Sequence, residues 1–370
     1  MPAAQAPAAD WITDAATLEA WLAGIADGDM LGLDTEFMRR NTFHPQLALL
    51  QLGHAGRHAL IDPLAFDAGD ILQRHIGQRP MVCVMHSAGE DLETLTPQLP
   101  QGPSTLFDTQ LAAAFAGLGL GLSYRALVAQ FDGVELDKGE TRSDWMRRPL
   151  TASQKAYATL DVVYLENLHA QLRERLRVRG REAWFAEDCE RLKRRAGQAE
   201  GNPQPQRELR GAADWPGERQ ALLRRVLVWR EQAARRLDKP RPWLLDDAHA
   251  LDLAQHVPAD ANQLAERTRG QRALRAAQRD ELLALLQAPV TAADLAATAP
   301  IPGFPHGESK RALGEMKQAV DALAVELDLP AGLLCPRKAL EEYVVTRQWP
   351  EHLEGWRRHV LHDRLAALLP

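Results

Sequence analysis

The sequence predicts an α/β domain with a mixed sheet, followed by two small all-α domains. Three features point to that arrangement. Short apolar runs of strand length alternate with turn residues through roughly the first ninety positions. The segment AGQAEGNPQPQRELRGAADWPG (196–217) is rich in glycine, proline and polar residues, as an exposed connection is. Everything beyond it carries helical periodicity. At 370 residues the chain also exceeds what one hydrophobic core usually serves. The expected units are 1–198 for the α/β domain and 210–290 and 291–370 for the helical pair, sizes normal for single-core domains.

Taken in order, an amphipathic helix over Ala16–Ile25 leads into a strand over Met30–Met38. Leu47–Leu52 and His58–Ile61, joined by the turn residues Gly53-His54-Ala55-Gly56, continue it as an antiparallel meander. Arg79-Pro80 introduces a fourth strand, MVCVMH, which passes into a helix near Ser87. Helices are then expected over Asp108–Ala116, Ser123–Phe131 and Ser153–Val178. Strands first, with helices to cover their faces, indicate an α/β domain. Past the linker, QALLRRVLVWREQAARRL opens a helical block ending near Ala288. GESKRALGEMKQAVDALAVEL opens a second of similar length, with no strict sequence repeat between them.

Composition narrows the function classes. Hydrophobic content of 45% and charged content of 25% are ordinary for a soluble globular protein. A net charge of −6 argues against a chain that is basic all over, though not against a local basic surface. Cys83, Cys189 and Cys335 are too few and too scattered for a disulfide framework or a zinc site, and buried free thiols in a reducing compartment are expected. MPAAQAPAADWITD has no basic stretch followed by an apolar one, so no secretory signal is expected there. No apolar run approaches the roughly 20 residues that span a bilayer, and a cytoplasmic location without membrane contact is expected.

The run LGLDTEF (31–37) places Asp34 and Glu36 one residue apart in an apolar strand. Residues i and i+2 of a strand share a face, so both carboxylates project side by side. Such a pair is costly to bury and self-repelling, which calls for a cation between them. Asp91, in HSAGEDLETL, lies about one helical turn past the fourth strand, beside the carboxyl edge of the sheet where α/β sites form. Tyr157 precedes Asp161 by four residues in KAYATLDVVYL, so the two share a helix face with Cβ atoms roughly 5–6 Å apart. A lone D-x-E is commonly nothing more than a strand pattern, and Asp91 alone is an acid favoured by a helix N-terminus. Together, four acids and a phenol suggest two hard divalent ions, Mg²⁺ or Mn²⁺, in the arrangement that hydrolyses phosphodiesters.

Taken in order, LGLDTEFMRRNTFHPQLALLQLG, HSAGEDLETL and LDKGETRSDWMRRPLTASQKAYATLDVVYL resemble the three exonuclease motifs of the ribonuclease D family, bacterial 3′→5′ exoribonucleases of the DEDD superfamily. Lys138, Ser143-Asp144-Trp145, Arg148-Pro149-Leu150, Gln154, Tyr157 and Asp161 stand in family register. LVWREQAARRLDKPRPWLLDD resembles the helicase-and-RNase-D C-terminal (HRDC) domain, and the final block resembles a second, more divergent copy. The resemblance implies a ribonuclease-H-like (DnaQ-like) fold, with Asp34, Glu36, Asp91 and Asp161 as metal ligands. It also makes Tyr157 the tyrosine of the y-type branch, which positions or helps deprotonate the attacking water. No histidine stands between Lys155 and Asp161, as the h-type branch would require.

The same resemblance implies 5′-mononucleotide release from RNA. Its substrates would be the 3′ ends of tRNA precursors and other small structured RNAs, admitted through a funnel that the helical domains help to form. Thr35, Phe37, His86, Lys138 and Trp145 are the residues expected to contact substrate, and a monomer is expected. A DNA-directed 3′→5′ exonuclease and a nucleic-acid-binding module with vestigial catalysis are the alternatives, opposed respectively by the helical pair and by the intact acids and tyrosine.

Other signals have plainer readings. GLGLGLSYRAL (117–127) misses G-x-G-x-x-G spacing and follows a helix, so Ser123 is expected to cap the next helix instead. The basic runs Arg191–Gln198 and Arg224–Arg236 read either as solvated helix faces or, beside a nuclease, as phosphate contacts. Trp215, Trp229 and Trp243 read as core residues of the helical domain or as stacking surfaces for RNA.

Overall fold

The computed structural model describes residues 5–137, 139–140, 143–197 and 201–370. Six strands, β1 (Asp10–Ile12), β2 (Met30–Met38), β3 (Gln46–His54), β4 (Arg57–Ile61), β5 (Val82–Met85) and β6 (Thr105–Asp108), form one mixed sheet in the order β1-β4-β3-β2-β5-β6. β2, β3 and β4 are the antiparallel meander the sequence predicts, while β5 and β6 add in parallel on the other side of β2. β2 therefore lies inside the sheet, paired with β3 over Gly32–Met38 and with β5 over Met30–Gly32. β1 and β6 are strands that the sequence reading missed. At three and four residues they are too short to show a period of two, and Asp108 had been read as a helix start.

The helices of this part are α1 (Ala15–Ala23), the single turn α2 (Gly69–Leu72), α3 (Gly89–Leu95), α4 (Thr109–Phe115), α5 (Tyr124–Asp132), α6 (Ala152–Val163), α7 (Leu165–Val178) and α8 (Glu182–Ala196). Ser123 caps α5, its Oγ accepting from the Ala126 N–H at 3.3 Å, as expected. The helix predicted over Ser153–Val178 is two helices that break at Tyr164. The Tyr124 hydroxyl donates to the Leu160 carbonyl at 3.0 Å and accepts the Tyr164 N–H at 3.2 Å. A phenol thus sits in the place of one i→i−4 hydrogen bond, a recognised cause of a helix break.

The helical portion comprises α9 (Gly217–Leu237), α10 (Arg241–Leu244), α11 (Asp247–Gln255), α12 (Ala261–Arg267), α13 (Ala276–Gln287) and α14 (Ala292–Ala296). It continues with α15 (Gly307–Leu327), α16 (Ala331–Leu334), α17 (Arg337–Thr346) and α18 (Trp356–Ala366). Its geometry repeats. α9 and α15 each run 21 residues and end on a left-handed aspartate, Asp238 and Asp328, both at φ 48°. A proline, Pro240 or Pro330, then opens a short turn of helix. Each aspartate also grips the α/β part. Asp238 accepts the Phe43 and His44 N–H groups at 2.9 and 3.1 Å, and Asp328 accepts from Arg179 at 2.6 Å.

The two copies differ in what they bury. α9–α14 surround their own core of Leu223, Val226, Leu244, Leu253 and Leu282, and Ile301 belongs to it, so packing changes hands beyond Ile301. Phe43 of the α/β part inserts here, with the Arg235 and Arg241 guanidinium carbons 4.8 and 4.5 Å from its ring centroid. α15–α18 instead share one continuous core with the α/β part. Trp356 stacks on Trp184 at 4.6 Å between centroids and meets Phe115 edge-on at 5.4 Å. Beneath them Arg357 grips Asp188 through two hydrogen bonds of 2.6 Å.

Most arginines of the two basic runs are taken up within the protein. Arg191 bonds Glu187 and the Glu354 carbonyl, Arg225 bonds Asp294 and two carbonyls near the end of α13, and Arg230 and Arg236 pair with Asp247 and Glu281. Trp229 is buried with its Nε1 on Glu281, which makes it a core residue. Among the described residues no helix is long and apolar enough to cross a membrane.

The Asp188–Arg357 pair gives a direct test of the shared core. Removing one partner leaves a buried charge uncompensated, so Arg357→Met alone should cost about 3–5 kcal/mol in urea unfolding. The double variant Asp188→Leu/Arg357→Met should recover most of that loss.

Candidate active site

Asp34 and Glu36 leave β2 on the face covered by α6 and α7. Two glycines set how close those helices come. Gly32 and Gly53 are cross-strand partners on this face, and a Cβ on Gly53 would stand 3.1 Å from the Val162 carbonyl oxygen. α6 is phased by a capping box, in which the Thr151 hydroxyl accepts the Gln154 N–H at 3.1 Å and Gln154 accepts the Thr151 N–H at 2.9 Å. That phase turns Asp161 toward β2. Ligand oxygens of Asp34, Glu36 and Asp161 lie within 4.8 Å of one another, three half-buried carboxylates at one point.

Asp91 reaches the same recess from α3. The buried Asp108 side chain fixes where α3 begins, accepting the Ser87 N–H at 3.3 Å and the Ala88 N–H at 2.8 Å. Asp91 is 8% exposed and accepts the Thr35 hydroxyl at 2.5 Å. Tyr157 lies one turn before Asp161 on α6, with its ring 6.1 Å from that of Trp145.

The electrostatics record the crowding. Burial first, then the charges of Asp91, Asp161 and Glu36, push the Asp34 carboxyl well above the usual range. Burial and the Asp161 and Asp91 charges push Glu36 up to about 9. Asp161 rises to about 7 through burial and Asp91. Asp91 rises to about 6 through burial, opposed by its hydrogen bond from Thr35. Carboxyls held this way bind either protons or a metal cation.

The residues fit a hard divalent ion. The donors are all carboxylate oxygens, and Gln51, the cross-strand partner of Asp34, is 0% exposed with neither amide atom bonded to protein. Gln51 escaped the sequence reading. The signal was available, since a glutamine among the leucines of LALLQLG is a polar residue in a core strand.

The residues expected at substrate divide. Phe37 sits partly buried on β2 just past a register shift opposite β3. Thr35 is 6% exposed and turned to Asp91, and Trp145 is 3% exposed, so both are interior supports and not open contact surfaces. His86 is half-buried, bonded through Nδ1 to the Thr109 hydroxyl at 2.9 Å and packed against Tyr124 at 5.7 Å. Lys138 lies outside the described residues. A cavity of about 1060 Å³ opens between the three blocks, lined by Arg39, Glu93, Arg235, Arg241 and His352. It borders α3 through Gly89 and Glu90, whereas Asp34, Glu36 and Asp161 face elsewhere.

A half-open cluster of carboxylates at the centre of a mixed sheet, with a tyrosine one helical turn from one of them, defines a metal-dependent nuclease. Residues 9–177 match the family model described as 3′-5′ exonuclease. Over the whole length, the chain is 40% identical to the ribonuclease D of Xanthomonas oryzae pv. oryzae across 347 residues, covering 92% of this chain and 93% of that one. It is 32% identical to the ribonuclease D of Pseudomonas paraeruginosa, covering 98% of each. The crystal structure of Escherichia coli RNase D, described as an exoribonuclease involved in structured RNA processing, superposes with a TM-score of 0.83 at 25% identity, over 98% of this chain and 99% of that one. The chain belongs to the ribonuclease D family. It is a metal-dependent 3′→5′ exoribonuclease.

The raised carboxyls predict how the metal-free protein responds to pH. A group with a raised folded pKa adds stability that is full below its unfolded value, about 4 for a carboxyl, and is lost as pH rises through the folded value, about 9 for Glu36. In EDTA the Tm should therefore fall steadily from pH 5 to pH 9. Glu36→Gln should flatten that slope, and Mn²⁺ added at pH 8 should raise the Tm of the unmodified chain.

Proposed function

We propose that the chain trims the 3′ ends of tRNA precursors and other small structured RNAs, releasing 5′-mononucleotides, with two divalent ions, Mg²⁺ or Mn²⁺, at Asp34, Glu36, Asp91 and Asp161. The observation that carries the reading is the convergence of Asp34, Glu36 and Asp161 within 4.8 Å, with Tyr157 one turn away. The trio would hold one ion, and Asp91, whose charge reaches all three, would join Asp34 at the second. Bound there, the ions supply Lewis-acid stabilisation of the charge developing on the phosphate and lower the pKa of the attacking water.

The chain's residues do the rest. Asp34 and Glu36, fixed by the pairing of β2 with β3, would hold the ions against which the scissile phosphate binds. The Tyr157 phenol, backed by the buried Trp145, orients the attacking water through a hydrogen bond. RNA binding draws on phosphate and 2′-hydroxyl contacts with little sequence reading. The likeness to ribonuclease D relatives favours RNA over DNA as the substrate.

End-labelled RNA digested with and without EDTA tests the reaction, using 3′-hydroxyl and 3′-phosphate ends and a DNA strand of equal length. Stepwise shortening that needs metal and a free 3′ end is expected, and internal cuts on blocked RNA would overturn it. Asp34→Asn should reduce cleavage by more than about 100-fold, since even residues supporting a metal ligand cost 10–100-fold. RNA affinity in a filter-binding assay should be kept. Tyr157→Phe should lower kcat by about 10²-fold or more with little change in KM.

A further inference from the structure

Asp34, Glu36 and Asp161 meet at one point, whereas Asp91 reaches their recess separately, through its charge and from another helix. We propose that Thr35 is a positioning residue for the reaction, its hydroxyl aiming the Asp91 carboxylate at the metal site from the far face of β2. The proposal rests on the metal-site reading above.

Three observations support it. Consecutive strand residues point to opposite faces, so Thr35 faces away from Asp34 and Glu36. Its side chain is 6% exposed, which closes it to substrate. Its hydroxyl donates to Asp91 Oδ1 at 2.5 Å, a bond between buried groups 56 residues apart in sequence. A threonine hydroxyl has a single proton, so this bond commits it. Hydrogen bonds from a hydroxyl to a carboxylate are short and about twice as strong as neutral ones.

Asp91 thereby receives two constraints of different kinds. Asp108 places the backbone, through the Ser87 and Ala88 N–H groups that precede α3. Thr35 sets the rotation of the carboxylate about its own side-chain bonds. With Oδ1 held by the hydroxyl, Oδ2 is left to meet a cation shared with Asp34.

Thr35→Val removes the hydroxyl and preserves the branched shape that suits a strand. Mn²⁺ binding to the full chain, read by calorimetry and by electron paramagnetic resonance without RNA, should show the weaker of two steps loosened by about 10–100-fold and the tighter step unchanged. In exonuclease assays the Mn²⁺ midpoint should rise correspondingly at saturating RNA. Thr35→Ser, which keeps the donor, should recover most of the loss on both readouts. Thermal unfolding in EDTA confirms that each variant is folded before metal is added.

Wild-type Mn²⁺ binding by Thr35→Val would overturn the proposal, and so would a Thr35→Ser variant as impaired as Thr35→Val. Asp91→Asn separates this failure from a deeper one. If Asp91→Asn loses the weaker step while Thr35→Val keeps it, only the role of Thr35 falls. If Asp91→Asn binds both ions normally, the assignment of Asp91 to metal falls with it.

Discussion

Four carboxylates crowded into one recess repel one another, and the surrounding structure is organised to hold them there. Asp34 and Glu36 cannot relax apart because β2 is paired with β3 at both residues and anchored to β5 just before them, over Met30–Gly32. Asp161 cannot withdraw because the capping box and the close approach over Gly32 and Gly53 fix α6 against the sheet. Asp91 is tied at its backbone and at its carboxylate. The fold thus stores electrostatic strain that a cation relieves, and metal binding and local stability become a single equilibrium.

How much of this was legible follows from the range of the interactions. The two acids of β2 could be read because the period of a strand is local, and the Tyr157–Asp161 pair because four residues make one helical turn. Asp91 could be placed near a helix start for the same reason. The roles of Thr35 and Trp145 could not be read locally. Nothing in DTEF says that the middle side chain meets an acid 56 residues away, and nothing in SDWMRRPL says that the indole is interior. The break at Tyr164 was hidden for the same reason, since it is made by a phenol forty positions upstream. The strand–helix order and the mixed sheet were readable, while the short edge strands were not.

The basic runs admitted two readings, a solvated helix face or a surface for phosphates, and most of their guanidiniums instead tie helix to helix and helix to loop. Arginine suits that task because its planar fork satisfies a carboxylate and stray carbonyls together. Arg225 does so at the end of α13, reaching Asp294 and the Leu285 and Ala288 carbonyls. A basic helix in this chain is therefore as much a fastening as a binding surface.

The continuous core shared by the first and last blocks has a consequence for how the chain is made. Synthesis runs from the N-terminus, so the α/β part leaves the ribosome before its apolar partner exists. Phe115, Phe185 and Trp184 await Trp356 until nearly all of the chain is translated. At roughly 5–20 residues per second that interval lasts about ten seconds or more. During it the middle block, whose core is nearly its own, can fold first. The growing chain thus carries an uncovered aromatic surface through much of the second half of its synthesis.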